Sequence, residues 1–467
     1  MADNKENEQL SNLKKLVQRN AGLDKQIGDL LEQYKSLASR DEQYAALLRE
    51  YGLELEAQKE RQGVRRFRMV SLIYLVVQGF QELVNSGEEQ RQLDLLDELV
   101  ISVSDIADKY GLVKVPTIGD NMLLCAGLKQ ENKTNPIDAT CAAYEINQWM
   151  KEFKERTGAI WEIRMGIHTG PIIARYLPRK NVPYTVSGGN VLTVSRLAWT
   201  ANANHIILSP MTYELIKEFF EAETYGRIAV RYSGIMDTYQ LIGVRPELQG
   251  TEYRGIFNSQ FDLCYSRVQF MDIQEYVLDM LEEKLPKTLY YHNVKHTIDV
   301  TTEVELIGYA EGLSEQDIML LKVAGLFHDS GHIKTYNGHE EVSCEYADEI
   351  LPQFNYPQEK IDTIKRIIMA TKLPHQPADI LEAVIQDSDL DYLGRSDFIP
   401  VSNMLYKEMT ERGAKMTINE WNKIQIKFIS SHQYYTNTAQ SLREVNKQSQ
   451  IERLKELVEE CERNGEA

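Results

Sequence analysis

Histidine and aspartate residues recur late in the chain in a fixed order: His296, then the adjacent pair His328-Asp329, then Asp389. This order of imidazole and carboxylate groups is typical of a ligand set for a divalent metal that activates water. Seven of the nine histidines lie in the segment from His292 to His432, so imidazole is concentrated where the order occurs. The sequence therefore predicts its main chemistry in the C-terminal part of the chain.

The segments that precede these residues predict how they are positioned. His328-Asp329 follows the apolar run 323–327, which predicts a buried helix, and Asp387 and Asp389 follow a second apolar segment. An ionisable group at the end of a buried segment is costly unless a metal or a charged partner compensates it. Both aspartates are candidates for the last ligand.

His292 lies four residues before His296, and this spacing predicts that both imidazoles lie on one face of a helix. Apolar residues at helical spacing continue from about residue 257 to residue 463. The pattern predicts an all-α domain over residues 257–463, with the histidines and aspartates at the ends or on the faces of its helices.

Length and composition limit the classes of protein to which the chain can belong. With 467 residues it is too long for one ordinary domain, and 43% hydrophobic residues are enough for two or three cores. The formal net charge of −18 argues against nucleic acid and against an anionic membrane as partners. It is compatible with a small phosphorylated substrate, because a bound metal reverses the field locally.

Cysteine usage and the apolar runs predict a cytoplasmic protein. The five cysteines are scattered and form no CxxC pair, which favours free thiols in a reducing compartment. The polar N-terminus predicts no signal peptide. The longest apolar run, residues 69–77, is too short to span a bilayer and predicts a buried strand.

The N-terminal segment carries a heptad pattern, with alternating steps of three and four between apolar positions. This period predicts a left-handed coiled coil over residues 1–60, and Asn20 at an a position favours a two-stranded parallel dimer. A single long helix packed along its own chain is the alternative, because the same apolar stripe serves both. The a positions are Leu13, Asn20, Ile27, Tyr34, Asp41, Leu48 and Leu55, and the d positions are Leu16, Leu23, Leu30, Leu37, Tyr44 and Tyr51.

Between residues 64 and 245, strand-like segments alternate with amphipathic ones, and three short strings stand among them. They are Thr117-Ile118-Gly119-Asp120, Gly166-Ile167-His168-Thr169-Gly170-Pro171, and Gly188-Gly189-Asn190-Val191 followed by Ser195-Arg196-Leu197. In this order and spacing the strings resemble the class III nucleotidyl cyclase homology domain. The resemblance implies an α/β ferredoxin-like sandwich that dimerises, because this family forms its active sites between two subunits.

The residues that cyclase chemistry needs are only partly present. The resemblance places the two metal-binding aspartates at Val76 and Asp120, the ribose-orienting asparagine at Leu192 and the transition-state arginine at Arg196. Two carboxylates are needed to hold the metals, and Val76 offers no oxygen. The resemblance therefore implies a pseudocyclase that could still bind a regulatory nucleotide. Asp120 and Arg196 could instead be structural, capping a turn or pairing with each other.

The C-terminal region resembles the HD-domain phosphohydrolases over residues 257–463. The string His292-Asn293-x-x-His296-x-x-Asp299-Val300 is similar to the cyclic-nucleotide phosphodiesterases within that group. The resemblance implies a reaction in which metal-activated water attacks phosphorus in line, while His292 protonates the leaving ribose oxygen as a general acid.

The same resemblance implies two divalent metals. His296, His328, Asp329 and Asp389 are the expected ligands of the first metal, and Asp329 is expected to bridge to the second. Asp389 is preferred to Asp387 because a small residue precedes it, as in the family; Asp387 would then cap a helix end or support the ligands. Oxygen and imidazole ligands suit Mg, Mn, Fe or Zn.

Two further histidines are expected near these metals. His332 follows His328 by four residues, at a position where phosphodiesterases of this type also carry a histidine, and is a candidate catalytic residue. His339 precedes a predicted helix and fits an extra ligand or a residue that supports the ligands. A lone histidine is more often a satisfied surface or core residue than a ligand, which is the alternative for His339.

Four other residues are candidates for contacts with the substrate. Lys372 and His375 lie in one predicted loop and could together reach a phosphate, and His432 is a candidate of the same kind. For both histidines a purely structural role is the alternative. Gln425 is the nearest counterpart of the glutamine that clamps the purine in animal-type phosphodiesterases.

Together these patterns predict a homodimeric signalling enzyme in which a degenerate cyclase domain regulates a metal-dependent phosphodiesterase. The expected substrate is 3′,5′-cyclic AMP or cyclic GMP. One alternative keeps the metal site but takes another nucleotide phosphoester, such as a nucleoside mono- or triphosphate or a guanosine alarmone. A second alternative is a nucleotide-sensing scaffold without catalysis, and a third is an active cyclase, which Val76 and Leu192 oppose.

Overall fold

The structure is a computed structural model that describes residues 64–79, 82–83, 87–117, 121–179, 182–230, 234–250 and 256–464. The coiled coil predicted over residues 1–60 and the candidate Asp120 lie outside these ranges. The chain divides into two compact units. Of the described residues, the smaller contains 64–68 and those of 171–191, and the larger contains those of 69–170 and 192–464.

A mixed sheet dominates the first half of the chain. Its strands are β1 (Val64–Gln78), β2 (Val113–Val115), β3 (Met122–Ala126), β4 (Glu162–Arg179), β5 (Val182–Ser187), β6 (Ile206–Leu208), β7 (Phe220–Val230) and β8 (Gly234–Val244). The strand order is β2-β3-β1-β4-β6-β8-β7, and β5 pairs with β4. The apolar run 69–77 lies in β1, between β3 and β4, which explains why it is buried almost throughout.

Among the described residues, the helices that accompany the sheet are α1 (Glu89–Lys109), α2 (Asn135–Thr157), α3 (Gly189–Thr200) and α4 (Pro210–Ile216). The core joins buried residues of α1 and α2 to β1, β3 and β4, around the fully buried ring of Trp161. Gly166, one of the glycines in the sequence motifs, lies in β4 where α3 packs closely on the strand. A Cβ there would lie 2.6 Å from the Ala198 backbone nitrogen, so α3 can lie directly on the strand only because Gly166 has no side chain.

The rest of the described chain is helical. The helices are α5 (Ser259–Lys284), α6 (Val294–Ala310), α7 (Glu315–Phe327), α8 (His339–Ile350), α9 (Gln358–Met369), α10 (Ile380–Asp389), α11 (Phe398–Glu411), α12 (Ile418–Ser431) and α13 (Asn437–Asn464). Among the described residues, no helix is both long and apolar enough to cross a bilayer.

Helix α5 links the sheet to the helical region. Near its N-terminus, Phe261 packs on Phe219, with ring centroids 5.2 Å apart, and belongs to the core of the sheet. Farther along, Ile273 and Val277 are fully buried in the core of the helical region. One continuous helix therefore contributes to both cores.

Candidate metal centre

The four predicted ligands lie at the ends of three helices that pack against one another. His296 is in the first turn of α6, His328 caps the C-terminus of α7 with Asp329 next to it, and Asp389 is the last residue of α10. All are buried or nearly so, although the ligands come from segments more than thirty residues apart in sequence. Helix packing brings them together because the apolar faces of α6, α7 and α10 contribute to one core.

The donor atoms of these side chains converge. His296 Nε2 lies 3.1 Å from Asp389 Oδ1 and 3.4 Å from Asp329 Oδ2. His328 Nε2 lies 3.3 Å from both His296 Nε2 and Asp329 Oδ2. Two imidazole nitrogens facing each other between two carboxylate oxygens is the arrangement expected of residues that share a cation.

A hydrogen-bond network fixes the orientation of the His328 ring. Its Nδ1 donates to the carbonyl oxygen of Gly325 at 2.8 Å, which leaves Nε2 as the nitrogen that faces the cluster. Ser343 Oγ donates to the His328 carbonyl at 2.7 Å and accepts from the Gly331 nitrogen at 2.8 Å. A Cβ at Gly331 would lie 1.9 Å from the carbonyl oxygen of His339, so this turn requires glycine.

Asp329 lies between two groups of histidines. Its Oδ2 faces His296 and His328, whereas its Oδ1 lies 3.3 Å from His339 Nε2 and 3.8 Å from His332 Nε2. His332 is buried, and neither of its ring nitrogens has a hydrogen-bond partner among the described residues. An unsatisfied buried imidazole beside a shared carboxylate fits a second cation, with Asp329 between the two.

The electrostatics of the cluster also suit a cation. Burial lowers the pKa of His332 to about 3, so its imidazole is neutral and offers a lone pair. Burial acts to raise the pKa of Asp389, but His296 and His328 hold it well below the usual range. Burial opposes protonation of His328, yet the neighbouring carboxylates raise its pKa. A divalent ion would displace that proton, because metal ligands must be deprotonated.

The prediction that His292 and His296 share a helix face is wrong. Helix α6 begins at Val294, because Asn293 caps it by accepting hydrogen bonds from the backbone nitrogens of Lys295 and His296. His292 therefore lies in the turn before the helix. Its ring is still close to the cluster, with centroids 6.0 Å from His296 and 4.6 Å from His332.

Glu408 is a site residue that the sequence did not reveal. Its Oε1 lies 2.5 Å from His292 Nδ1, and its Oε2 accepts from the backbone nitrogens of Tyr291 at 2.9 Å and His292 at 3.2 Å. The carboxylate is fully buried and lies on α11. No motif surrounds Glu408, and it lies more than a hundred residues from His292, so only the fold pairs them.

The structure gives Asp387 and Asp389 different environments. Asp387 accepts hydrogen bonds from the backbone nitrogens of Tyr435 and Thr436 and from the Thr436 hydroxyl, at 2.7–3.1 Å. It therefore holds the start of α13 and faces away from the histidines. Of the two aspartates, Asp389 is the one that faces His296 and His328.

The remaining candidates lie outside the cluster. Lys372 forms an ion pair with Glu341 on α8, and His375 Nε2 lies 2.9 Å from Glu382 Oε2. His375 and His432 line a separate cavity, whose walls include none of the four predicted ligands. Gln425 is buried on α12, and its Oε1 has no partner among the described residues.

The positions that the resemblance assigns to cyclase active-site residues carry mostly apolar side chains in the described part of the chain. Val76 is fully buried in β1, as part of the sheet core, and Leu192 is half exposed on α3. Arg196 is exposed on α3. Within the described residues, these positions therefore offer a single charged side chain.

Two family models match the chain. Residues 63–243 match the adenylate and guanylate cyclase catalytic domain, and residues 293–397 match the HD domain. Both matches confirm the resemblances found in the sequence. HD domains are typically metal-dependent hydrolases, and both kinds of domain bind divalent metals.

Known proteins of the cyclase family are similar to part of the chain. An adenylate cyclase of Mycobacterium tuberculosis is 25% identical over 190 residues, which cover 41% of this chain and 43% of that protein. A receptor-type guanylate cyclase of Caenorhabditis elegans is 28% identical over 191 residues, which cover 39% of this chain and 18% of that protein. The chain spans less than half the length of these curated relatives.

Among solved structures, the guanylate cyclase domain of RhGC from Catenaria anguillulae, in complex with GTP, is 28% identical to the aligned part of this chain. The alignment covers 39% of this chain and 100% of that domain, with a TM-score of 0.36.

Proposed function

Starting from a chain that joins a class III adenylate/guanylate cyclase domain to an HD domain, we propose that the HD domain is a metal-dependent phosphodiesterase that opens a 3′,5′-cyclic nucleotide. The observation that carries this proposal is the convergence of His296, His328, Asp329 and Asp389, whose facing atoms lie 3.1–3.6 Å apart. His332 and His339, on the other side of Asp329, support a second ion.

Different residues of the cluster would hold the two sides of the metal site. When bound, the divalent ions would activate water and neutralise the phosphate oxygens. His296, His328 and Asp389 hold one side of the site, and Asp329 presents one oxygen to each side. The Nδ1 hydrogen bond of His328 to Gly325 keeps its ring from rotating, so its Nε2 stays directed at the cluster.

His292 is the proposed source of the proton. Hydrolysis joins a water oxygen to phosphorus and breaks the bond from phosphorus to the ribose 3′ oxygen, which must gain a proton as it leaves. Glu408 accepts a hydrogen bond from His292 Nδ1, so Nε2 is the ring nitrogen that remains for proton transfer.

For the cyclase domain we propose a regulatory role without catalysis. Val76 replaces the first metal-binding carboxylate and is packed in the sheet core, and Leu192 cannot hydrogen-bond a ribose. A nucleotide bound by this domain would change hydrolysis in the HD domain only if it bound two conformations with different affinities. Because α5 contributes to both cores, it is the proposed route of that effect.

The central experiment measures hydrolysis of cyclic AMP and cyclic GMP by the full chain with Mn added. We expect product from the wild type, but none from a His328→Ala/Asp329→Ala double variant. Release of inorganic phosphate from other nucleotides, without opening of either cyclic bond, would favour a different nucleotide phosphohydrolase. A metal-free protein that turns over none of these substrates would favour the scaffold.

The regulatory proposal needs a separate experiment. Hydrolysis rates are measured with ATP, GTP, AMP and GMP added one at a time, and we expect at least one to change kcat or KM. Identical kinetics with every nucleotide would contradict regulation. Conversion of ATP or GTP to its cyclic form, lost in Arg196→Ala, would show instead that the cyclase domain is active.

A further inference from the structure

Another cavity, distinct from the one lined by His375 and His432, lies where the cyclase domain meets α5, away from the metal centre. Its walls come from residues 108–111 at the C-terminal end of α1, from α2, from Phe257 and the start of α5, and from the loop at residues 355–356. Its volume is about 460 Å³, which is within the range of roughly 300–1,000 Å³ typical of small-molecule sites. None of its wall residues belongs to the metal centre or to the positions of cyclase chemistry.

Aromatic rings form much of this interdomain cavity. Phe257 and Phe261 are stacked with centroids 4.1 Å apart, which fixes both rings at the junction of the two cores. Rings held in this way present an apolar surface whose faces also attract positive charge. The aromatic wall residues are Tyr110, Phe257, Phe261, Tyr265 and Tyr356.

Asp138 supplies a buried carboxylate to the same cavity. Only 5% of this residue is exposed, and its Oδ1 accepts a 2.7 Å hydrogen bond from the Tyr265 hydroxyl. Burial raises the pKa of this carboxyl group to about 7, because the hydrogen bond from Tyr265 offsets only part of the cost of burying its charge, and no ion pair of Asp138 occurs among the described residues. A buried carboxylate without a cationic partner is costly, so a positively charged ligand would be favoured beside it.

The other charged groups of the cavity disfavour an anion. Asp108 and Asp262 add negative charge to its walls. Lys109 also lines the cavity, but its ammonium group is held by both carboxylate oxygens of Glu145, at 2.8 and 2.7 Å. The resulting negative field makes this an unsuitable site for a nucleotide phosphate.

We propose that the interdomain cavity binds a small organic ammonium ion, with its charge near Asp138 and its apolar part against the aromatic rings. Aromatic rings combined with a carboxylate are a favourable environment for substituted ammonium groups, because ring faces attract a weakly hydrated cation. The ligand would contact both the cyclase domain and α5. This site does not depend on phosphodiesterase activity, and its test measures binding alone.

The test compares choline with 3,3-dimethylbutan-1-ol, the neutral molecule of the same shape, by calorimetry on the full-length protein. We expect choline to bind at least about tenfold more tightly, which corresponds to roughly 1.4 kcal/mol from the charge. Equal affinities would overturn the proposal, and so would an absence of choline binding at millimolar concentration.

Variants locate the binding to this cavity. Asp138→Asn keeps the shape of the side chain and should reduce choline affinity to that of the neutral molecule. Asp97→Asn, at an exposed position of α1, is the matched control and should leave it unchanged. Unchanged affinity in folded Asp138→Asn would contradict the proposal. If that variant does not fold, Phe257→Leu tests the same proposal. Loss of the Phe257 ring should weaken choline binding several-fold and leave binding of the neutral molecule nearly unaffected.

Discussion

The HD domain and the cyclase domain differ in how much of their chemistry is present. In the HD domain, two imidazoles and two carboxylates lie with facing atoms 3.1–3.6 Å apart, and a third carboxylate, Glu408, holds His292. In the cyclase domain, a corresponding carboxylate position is Val76, fully buried in the sheet. Both domains nevertheless have extensive apolar cores.

The difference shows that a fold and a metal site make separate demands on the sequence. A core needs apolar side chains at regular positions, whereas a metal site needs a few polar groups that are costly to bury. Valine in place of aspartate in the central strand removes that cost and fills the core. Under the proposal that the cyclase domain is regulatory, the domain keeps its fold without one of the carboxylates that cyclase catalysis uses.

The largest expected effect is a loss of hydrolysis by the HD domain when Glu408 is substituted. Glu408→Gln removes the charge that supports His292, and we expect kcat to fall by about 100-fold, the usual contribution of a positioned general acid. Metal content should stay that of the wild type, because Glu408 contacts none of the four predicted ligands. The measurement is steady-state kinetics together with metal analysis of the same protein. Loss of metal together with activity would mean that Glu408 has a structural role.

The cyclase domain can be tested in the opposite direction, by restoring a carboxylate. Val76→Asp places an acid in the sheet core, and we expect a loss of about 3 kcal/mol in the free energy of unfolding. Val445→Asp, at a helix position that is 80% exposed, is the control and should cost much less. Urea unfolding measures both. A larger rise in Tm with Mn for Val76→Asp than for the wild type would show that the cyclase metal geometry remains.

A smaller effect concerns His432, a half-buried histidine that lies outside the cluster. Burial, assisted by the charge of Lys447, lowers the pKa of His432 to about 4. Between that value and the ordinary value of about 6.5, the unfolded chain binds a proton that the folded chain does not, so stability falls as the pH falls. We expect His432→Asn to lose less stability than the wild type between pH 6.5 and pH 4.5. Parallel curves of unfolding free energy against pH would contradict the depressed pKa.

Much of the architecture could be predicted because local patterns agreed with it. The apolar run 69–77 indicated a buried strand, and the apolar segment before His328 indicated a buried helix, as β1 and α7 show. The two domain resemblances are confirmed by the family models, whereas the coiled coil over residues 1–60 stays a prediction.

Errors arose where local spacing competed with capping. A four-residue interval placed His292 on a helix with His296, but Asn293 is a strong N-cap and starts the helix after His292. Lys372 and His375, the candidates for reaching a phosphate, pair with Glu341 and Glu382 in the structure. Their contact with a phosphate stays a prediction.

The sequence by itself determined which donor types are available and in what order they occur, because an ordered set of histidines and aspartates requires no coordinates to be recognised. It also determined that Val76 and Leu192 lack the groups that cyclase chemistry uses. Only the tertiary structure decided that Asp389 rather than Asp387 faces the histidines, that Asp329 lies between two groups of imidazoles, and that Glu408 holds His292. These are contacts between distant segments, and they depend on how helix ends meet when the apolar faces of the helices pack together.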